Sequence, residues 1–193
     1  MMKVIGLAGR AGSGKSTIAQ HLAQHPGIEW VDLDSVAWNT YAAGTDVYER
    51  LVEAFGVGIL GETGEIDRLR LAKIAFATQK AQKTLNELVH PAVSDAVCAT
   101  IRDHRARGTE ILLIEGALLA TSPHVDRSVY DRILWLETSD NARLARLQAI
   151  GRSDHAKRGR DVTPTGAFTA VPNEGSVKEV AEQLLQIIRS DRG

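Results

Sequence analysis

The chain has 193 residues, 23 Lys and Arg against 24 Asp and Glu, a formal net charge of −1 and only 5% aromatic residues. That balance gives no global pull toward nucleic acid or an anionic membrane, so any phosphate must be held by locally placed cations. A lone cysteine, Cys98, excludes an internal disulfide framework, and no apolar run approaches the roughly 20 residues of a membrane-spanning helix.

A chain of this length is expected to form one domain over residues 1–193, burying about 70% of its unfolded surface around one core. Cys98 falls in a helical stretch from Ala92 to Ile101, where a small buried hydrophobe is expected, and a reducing compartment suits it. The N-terminus runs straight into a strand pattern with no charged leader ahead of it, so a cytoplasmic protein is expected. The six histidines are scattered and none sits at ligand spacing from Cys98 or from another His, which argues against a metal site built from protein ligands alone.

In chain order, Lys3 to Leu7 is a short apolar strand pattern, and it leads into Gly9-Arg-Ala-Gly-Ser-Gly-Lys-Ser-Thr17. The pattern G-x-x-x-x-G-K-[ST] falls on Gly9, Gly14, Lys15 and Ser16, with Ala11, Gly12, Ser13 and Thr17 completing the loop. Glycines are needed because several backbone N–H groups must turn inward around one phosphate chain, where a Cβ would block the turn or the anion. Lys15 reaches the β- and γ-phosphates, and the Ser16 hydroxyl is placed to ligate Mg²⁺. Ile18, Ala19 and Leu22 follow at helical spacing, so a helix turns its positive end toward the phosphates. Binding of ATP with Mg²⁺ is therefore expected.

A second strand pattern, Ile28 to Asp32, runs into Asp32-Leu33-Asp34. Read as a strand end, period 2 puts both carboxylates on one face at the carboxyl tips of the sheet, near the phosphate loop if this strand lies near the first. One acid would take a proton from an attacking hydroxyl; the other would hold Mg²⁺ through water or orient a basic side chain.

Residues 33–109 are far more than one crossover needs, and a helical insert over 40–105 is expected. Helices are predicted over Val47 to Phe55, Asp67 to Phe76 and Lys80 to Val89, with another starting at Pro91, whose fixed φ suits a first turn. Gly61 to Arg68 reads as a turn and a helix start, and Leu88-Val89-His90-Pro91 as a join between helices.

Glu110 to Glu115, Arg132 to Glu137 and, more weakly, Phe168 to Val171 complete five strand patterns. Their continuous apolar runs, separated by helices, predict an α/β fold with a doubly wound, five-stranded parallel sheet. Residues 139–166 form the expected lid region, basic from Arg152 through His155, Lys157, Arg158 and Arg160. The last helix is announced by a capping box, Ser176 with Glu179, and carries Val180, Leu184, Leu185 and Ile188 on one face.

In this order, the phosphate loop from Gly6 to Thr17, Asp32-Leu33-Asp34, Ile59-Leu60-Gly61 with Gly64 to Arg68, Leu71, Phe76 and His90-Pro91 resemble the dephospho-coenzyme A kinase family of P-loop kinases. The resemblance implies transfer of the γ-phosphoryl group of ATP to the ribose 3′-hydroxyl of dephospho-coenzyme A. It also implies that Asp34 is the catalytic base, that Arg68, His90 and Leu118 serve the acceptor with Asp32, and that Asn173, followed by Gly175, lies near the adenine. Phosphoryl transfer leaves the protein mainly alignment and charge neutralisation, so a lid arginine is expected, with Arg143, Arg146 and Arg152 as candidates and Arg143 placed in the catalytic set.

Two stretches depart from the family pattern. Glu115-Gly116-Ala117-Leu118-Leu119 lacks the usual Pro-Leu-Leu followed by an aromatic and an acid, and the lid is short, with Arg143 and Arg146 one residue closer than usual. A related P-loop kinase acting on a nucleoside, a nucleotide or another small metabolite is the alternative. A GTPase switch is disfavoured, since neither Asp-x-x-Gly after a strand nor Asn-Lys-x-Asp occurs. Partners are expected to be ATP and a small acceptor, with no nucleic acid or membrane, on a monomer or small homo-oligomer.

Overall fold

A computed structural model describes residues 1–117, 119–120, 122–152 and 163–190, and within them two compact units, one of residues 1–32 with 101–193 and one of residues 33–100. The first unit is built on a five-stranded sheet with strands β1 (Lys3–Gly9), β2 (Ile28–Asp32), β3 (Ile111–Glu115), β4 (Arg132–Glu137) and β5 (Thr169–Pro172). All pairings are parallel and the order is β2-β3-β1-β4-β5. The doubly wound sheet read from the apolar runs is thus present. β3, however, lies between β1 and β2, so the first two strands are not neighbours.

Helices α1 (Lys15–Leu22) and α7 (Val177–Ser190) pack together with the sheet. Ile18, Ala19 and Leu22 from α1 and Val180, Ala181, Leu184, Leu185 and Ile188 from α7 share one cluster with Ile5, Leu7, Ile111, Leu113, Leu134 and Leu136. The sheet residues in that cluster alternate along each strand, as one face of a pleated sheet requires. The capping box ahead of α7 forms as read: Ser176 N donates to Glu179 Oε2 at 2.9 Å and Glu179 N to Ser176 Oγ at 3.3 Å. The Ser176 hydroxyl, donating to Glu179 Oε2 at 2.7 Å, and the Ser176 N–H beside it hold the Glu179 carboxyl below the usual carboxylate range. Helix α6 (Asp140–Ala149) follows β4, entered through Ser139, whose hydroxyl accepts from Ala142 N.

The second unit is helical: α2 (Leu33–Thr40), α3 (Asp46–Phe55), α4 (Arg68–Ala75) and most of α5 (Gln79–Ala106). Val47, Leu51, Ile59, Ile66, Leu71 and Ala75 are its buried centre, with Trp38, Tyr41, Tyr48, Leu85, Leu88 and Val89 packed around them. The turn before α4 is closed by Gly61 N donating to Glu65 O at 2.8 Å, and Asp67 caps α4 by accepting from Leu69 N and Arg70 N. The Arg70 amide, with that of Leu69, keeps the Asp67 carboxyl below its ordinary range, so the cap's contribution is present above that range and is lost as pH falls below it through the lowered value.

Two local expectations are corrected here. Pro91 does not start a helix; it lies inside the 28-residue α5. Proline there forgoes the bond to the carbonyl four residues back and costs about 3 kcal/mol, but Leu85, Leu88, Val89 and Ala92, on both sides of it, all pack against the unit's core. Burial on both sides keeps the helix continuous. The second correction concerns Asp34, which is not on a strand: β2 ends at Asp32, and Asp34 belongs to the first turn of α2. The period-2 argument therefore stops at Asp32.

Candidate active site

The strand β1 ends at Gly9 and α1 begins at Lys15, leaving a loop that bends back over itself. Gly12 and Gly14 have φ of 79° and 88°, in the left-handed region. At Gly12 an added Cβ would also come within 2.8 Å of the Arg143 carbonyl oxygen and of Leu147 Cγ, both on α6. Gly12→Ala is accordingly expected to lower both melting temperature and ATP affinity, the latter by about tenfold, since strain of this kind is worth roughly 1–3 kcal/mol. Calorimetric unfolding and ATP titration on the same preparation would check it.

Inside the loop, Lys15 is 9% exposed and its ammonium donates to the Gly9 carbonyl at 3.0 Å and the Arg10 carbonyl at 3.4 Å. The Ser16 hydroxyl donates to Glu115 Oε1 at 2.9 Å. Glu115 ends β3 and stands in register with Asp32 at the end of β2 on one side and with Leu7 of β1 on the other. A hydroxyl and two carboxylates thus gather at the carboxyl tips of three adjacent strands. Oxygen donors of this kind are what Mg²⁺ selects, so the donor set fits that ion, with Ser16 and Glu115 as first choices and Asp32 beside them. Ala11 is half-buried, and the Ser16 and Thr17 side chains begin the exposed face of α1.

The outer side of the loop is held by donors from three other places. Arg143, only 1% exposed, donates from Nη1 to the Ala11 carbonyl at 2.5 Å and from Nε to Asp140 Oδ1 at 3.3 Å. The Ser13 carbonyl accepts from Asn173 Nδ2 at 2.5 Å, from Arg146 Nη1 at 3.3 Å and from Thr138 Oγ1 at 3.3 Å. Arg146 Nη2 also donates to the Asn173 carbonyl at 3.3 Å, and Asn173 N to the Glu137 carbonyl at 2.7 Å. Arg143 and Asn173, both singled out from the sequence, therefore sit against the loop's own backbone. Arg152 is exposed just beyond α6.

In the helical unit, Asp34 is exposed in the first turn of α2, and Arg68 is the first residue of α4. The Arg68 guanidinium lies 3.8 Å from the centre of the Trp38 ring, and Trp38 meets Tyr41 edge-on at 5.0 Å. Burial pushes the Tyr41 phenol up from its ordinary value, the Arg68 charge pulls it down and the Asp34 charge pushes it up. Asp34 and Arg68 thus both act on one phenol. His90 is half-buried in the middle of α5. Leu118 and the basic lid residues His155, Lys157, Arg158 and Arg160 lie outside the described residues.

Sequence reasoning missed Glu115 and Trp38 as site residues. An acid closing the apolar run of β3 was the available signal for Glu115, given that β3 adjoins the loop strand. For Trp38 no local signal existed, because its partner lies thirty residues along the chain.

The family model of dephospho-CoA kinase matches residues 3–159. The chain belongs to the dephospho-CoA kinase family. A dephospho-CoA kinase of Bacillus licheniformis is 34% identical over 198 residues, covering 97% of this chain and 96% of its own. Among solved structures, a Thermus thermophilus protein superposes with a TM-score of 0.76 at 25% identity, covering 100% of this chain and 99% of its own. The shikimate kinase of Acinetobacter baumannii shares the fold at 17% identity, with a TM-score of 0.58 over 100% of this chain and 96% of its own. The sheet and loop described above are therefore those of a P-loop kinase of the dephospho-CoA kinase family.

Proposed function

We propose that this protein is the kinase that completes coenzyme A synthesis, transferring the γ-phosphoryl group of ATP to the ribose 3′-hydroxyl of dephospho-CoA. The observation that carries this reading is the loop from Gly9 to Thr17, with Lys15 folded into it and the Ser16–Glu115 pair at its mouth, in a chain matching the family over residues 3–159. Loop amides and Lys15 hold the β- and γ-phosphates. Ser16 and Glu115, with Asp32 beside them, would hold Mg²⁺, which would supply neutralisation of phosphate charge there.

Asp34 accepts the proton of the acceptor hydroxyl as that oxygen attacks the γ-phosphorus; the bond to the β,γ-bridging oxygen breaks and ADP leaves. Arg68, His90 and Leu118 serve the acceptor. Arg68 suits a phosphate of dephospho-CoA because its guanidinium, set over the Trp38 ring, brings a fork of N–H donors that matches phosphate oxygens. Arg143 and Asn173 belong to the ATP side. The described residues include no helix long and apolar enough to cross a membrane, and we read the protein as a cytoplasmic monomer or small homo-oligomer with no nucleic-acid partner.

A coupled ADP-release assay with Mg²⁺, offering dephospho-CoA beside a panel of nucleosides and nucleotides, tests the reading. Dephospho-CoA is expected to give the highest kcat/KM. Preference for a nucleoside monophosphate would overturn it in favour of a related kinase, the alternative raised by the departure from the family pattern around Ala117.

A further inference from the structure

Arg143, Arg146, Asn173 and Thr138 together make five hydrogen bonds to backbone carbonyls, four of them to two peptide units of the phosphate loop. A trans peptide is planar, and its C=O and N–H point in opposite directions. Whatever holds the Ser13 carbonyl outward therefore aims the Gly14 N–H to the other side, and whatever holds the Ala11 carbonyl does the same for the Gly12 N–H. Gly14 and Gly12 are the two loop residues with φ near +80° to +90°, a conformation that alternates amide directions and that the chain would leave without restraint.

We propose that Arg146, Asn173 and Thr138, acting on Ser13, and Arg143, acting on Ala11, are positioning residues that pre-aim the loop amides at the phosphates. Arg146 and Asn173 influence ATP through the loop and not by touching its γ-phosphate or its adenine. This rests on the reading of the loop as the ATP site. It takes Arg143 and Arg146 out of the set of arginines that reach the transferring phosphoryl group, leaving Arg152 as the candidate from the described part of the lid region.

Three features support the assignment. Asn173 is 3% exposed and is itself fixed by its backbone N–H on Glu137, so its side-chain amide is held against one target. Arg146 bridges the two partners, giving one hydrogen to Ser13 and one to Asn173, in a forked geometry a lysine cannot copy. The donors come from the ends of β4 and β5 and from α6, so the loop is tied to rigid elements on the side away from the nucleotide. The Gly12 and Gly14 N–H groups need no reorientation when phosphate arrives if the carbonyls of their own peptide units, Ala11 and Ser13, are already engaged.

The test is equilibrium titration of wild type, Asn173→Ala, Asn173→Asp, Arg146→Ala and Arg146→Lys with ATP, ADP and adenosine, each with Mg²⁺, beside steady-state kinetics. The expected result for Asn173→Ala and Arg146→Ala is a rise of about tenfold in Kd for ATP and for ADP alike, roughly what losing one or two such bonds implies. Adenosine affinity and the KM for dephospho-CoA are expected to stay within twofold of wild type. Asn173→Asp should lose more than Asn173→Ala, because it sets an acceptor against the Ser13 carbonyl, and Arg146→Lys should recover part of the loss. A rise confined to ATP would instead make Arg146 a γ-phosphate contact, and a loss of adenosine affinity in the Asn173 variants would make Asn173 an adenine contact; either overturns the proposal, as does an unchanged Kd. Arg146 is half-buried at the surface, so its variants keep the test available should Asn173→Ala fail to fold. Failure of wild type itself to bind ATP would strike the ATP-site reading and not the positioning role.

Discussion

Asp34→Asn is expected to lower kcat by about 10³-fold while ATP affinity stays within twofold of wild type. An ionised carboxylate can take the hydroxyl proton as the new P–O bond forms, whereas the amide cannot, and a positioned general base contributes roughly 10²–10⁴ in rate. The swap is nearly isosteric, and Asp34 is exposed in the first turn of α2, so little of the core is disturbed. The loss belongs in kcat because the hydroxyl must still bind before its proton is needed. ATP titration and single-turnover kinetics with saturating dephospho-CoA would separate the two quantities. Turnover within tenfold of wild type would remove Asp34 as the base and direct attention to another proton acceptor.

Much of the architecture was legible because parallel strands are covered on both faces and so appear as unbroken apolar runs. Ile111 to Ile114 and Ile133 to Leu136 needed no tertiary information to be recognised. Strand order carries no such signature. The insertion of β3 between β1 and β2 brings Glu115 to Ser16, and nothing in the spacing of those two residues foretells it.

The acids at Asp32 and Asp34 show the limit of period arguments: the alternation holds only while the strand lasts, and a helix begins one residue after Asp32. Pro91 shows the same limit in reverse, since a local preference for a helix start yields to apolar contacts on both sides of it. The resemblance puts Arg143 among lid arginines expected to reach the phosphates, yet it is among the most buried side chains in the described structure. A buried guanidinium needs acceptors, and its acceptors are a loop carbonyl more than a hundred residues away and the carboxylate of Asp140. Only the folded chain supplies that pairing.

Lys15→Met should lower kcat/KM for ATP by about 10²–10³-fold, the size reported by removing one preorganised donor from a developing negative charge. Lys15 is 9% exposed and its ammonium donates to the Gly9 and Arg10 carbonyls, so its charge is held within the loop. Phosphate oxygens replace those neutral carbonyls with acceptors that carry negative charge, so the ammonium gains an ion-pair attraction it lacks on the carbonyls. Because the γ-phosphoryl group spreads its charge in the transition state, most of the deficit should appear in kcat and the smaller part in ATP affinity. Lys15→Arg should not restore activity, since a planar fork cannot occupy the space of a compact ammonium inside the loop. Steady-state kinetics over a range of ATP concentrations, with acceptor saturating, reads both variants. Near-normal kcat/KM in Lys15→Met would mean that the loop amides and Mg²⁺ carry the phosphate charge without it, and the role assigned to the lysine would fall while the loop itself stood.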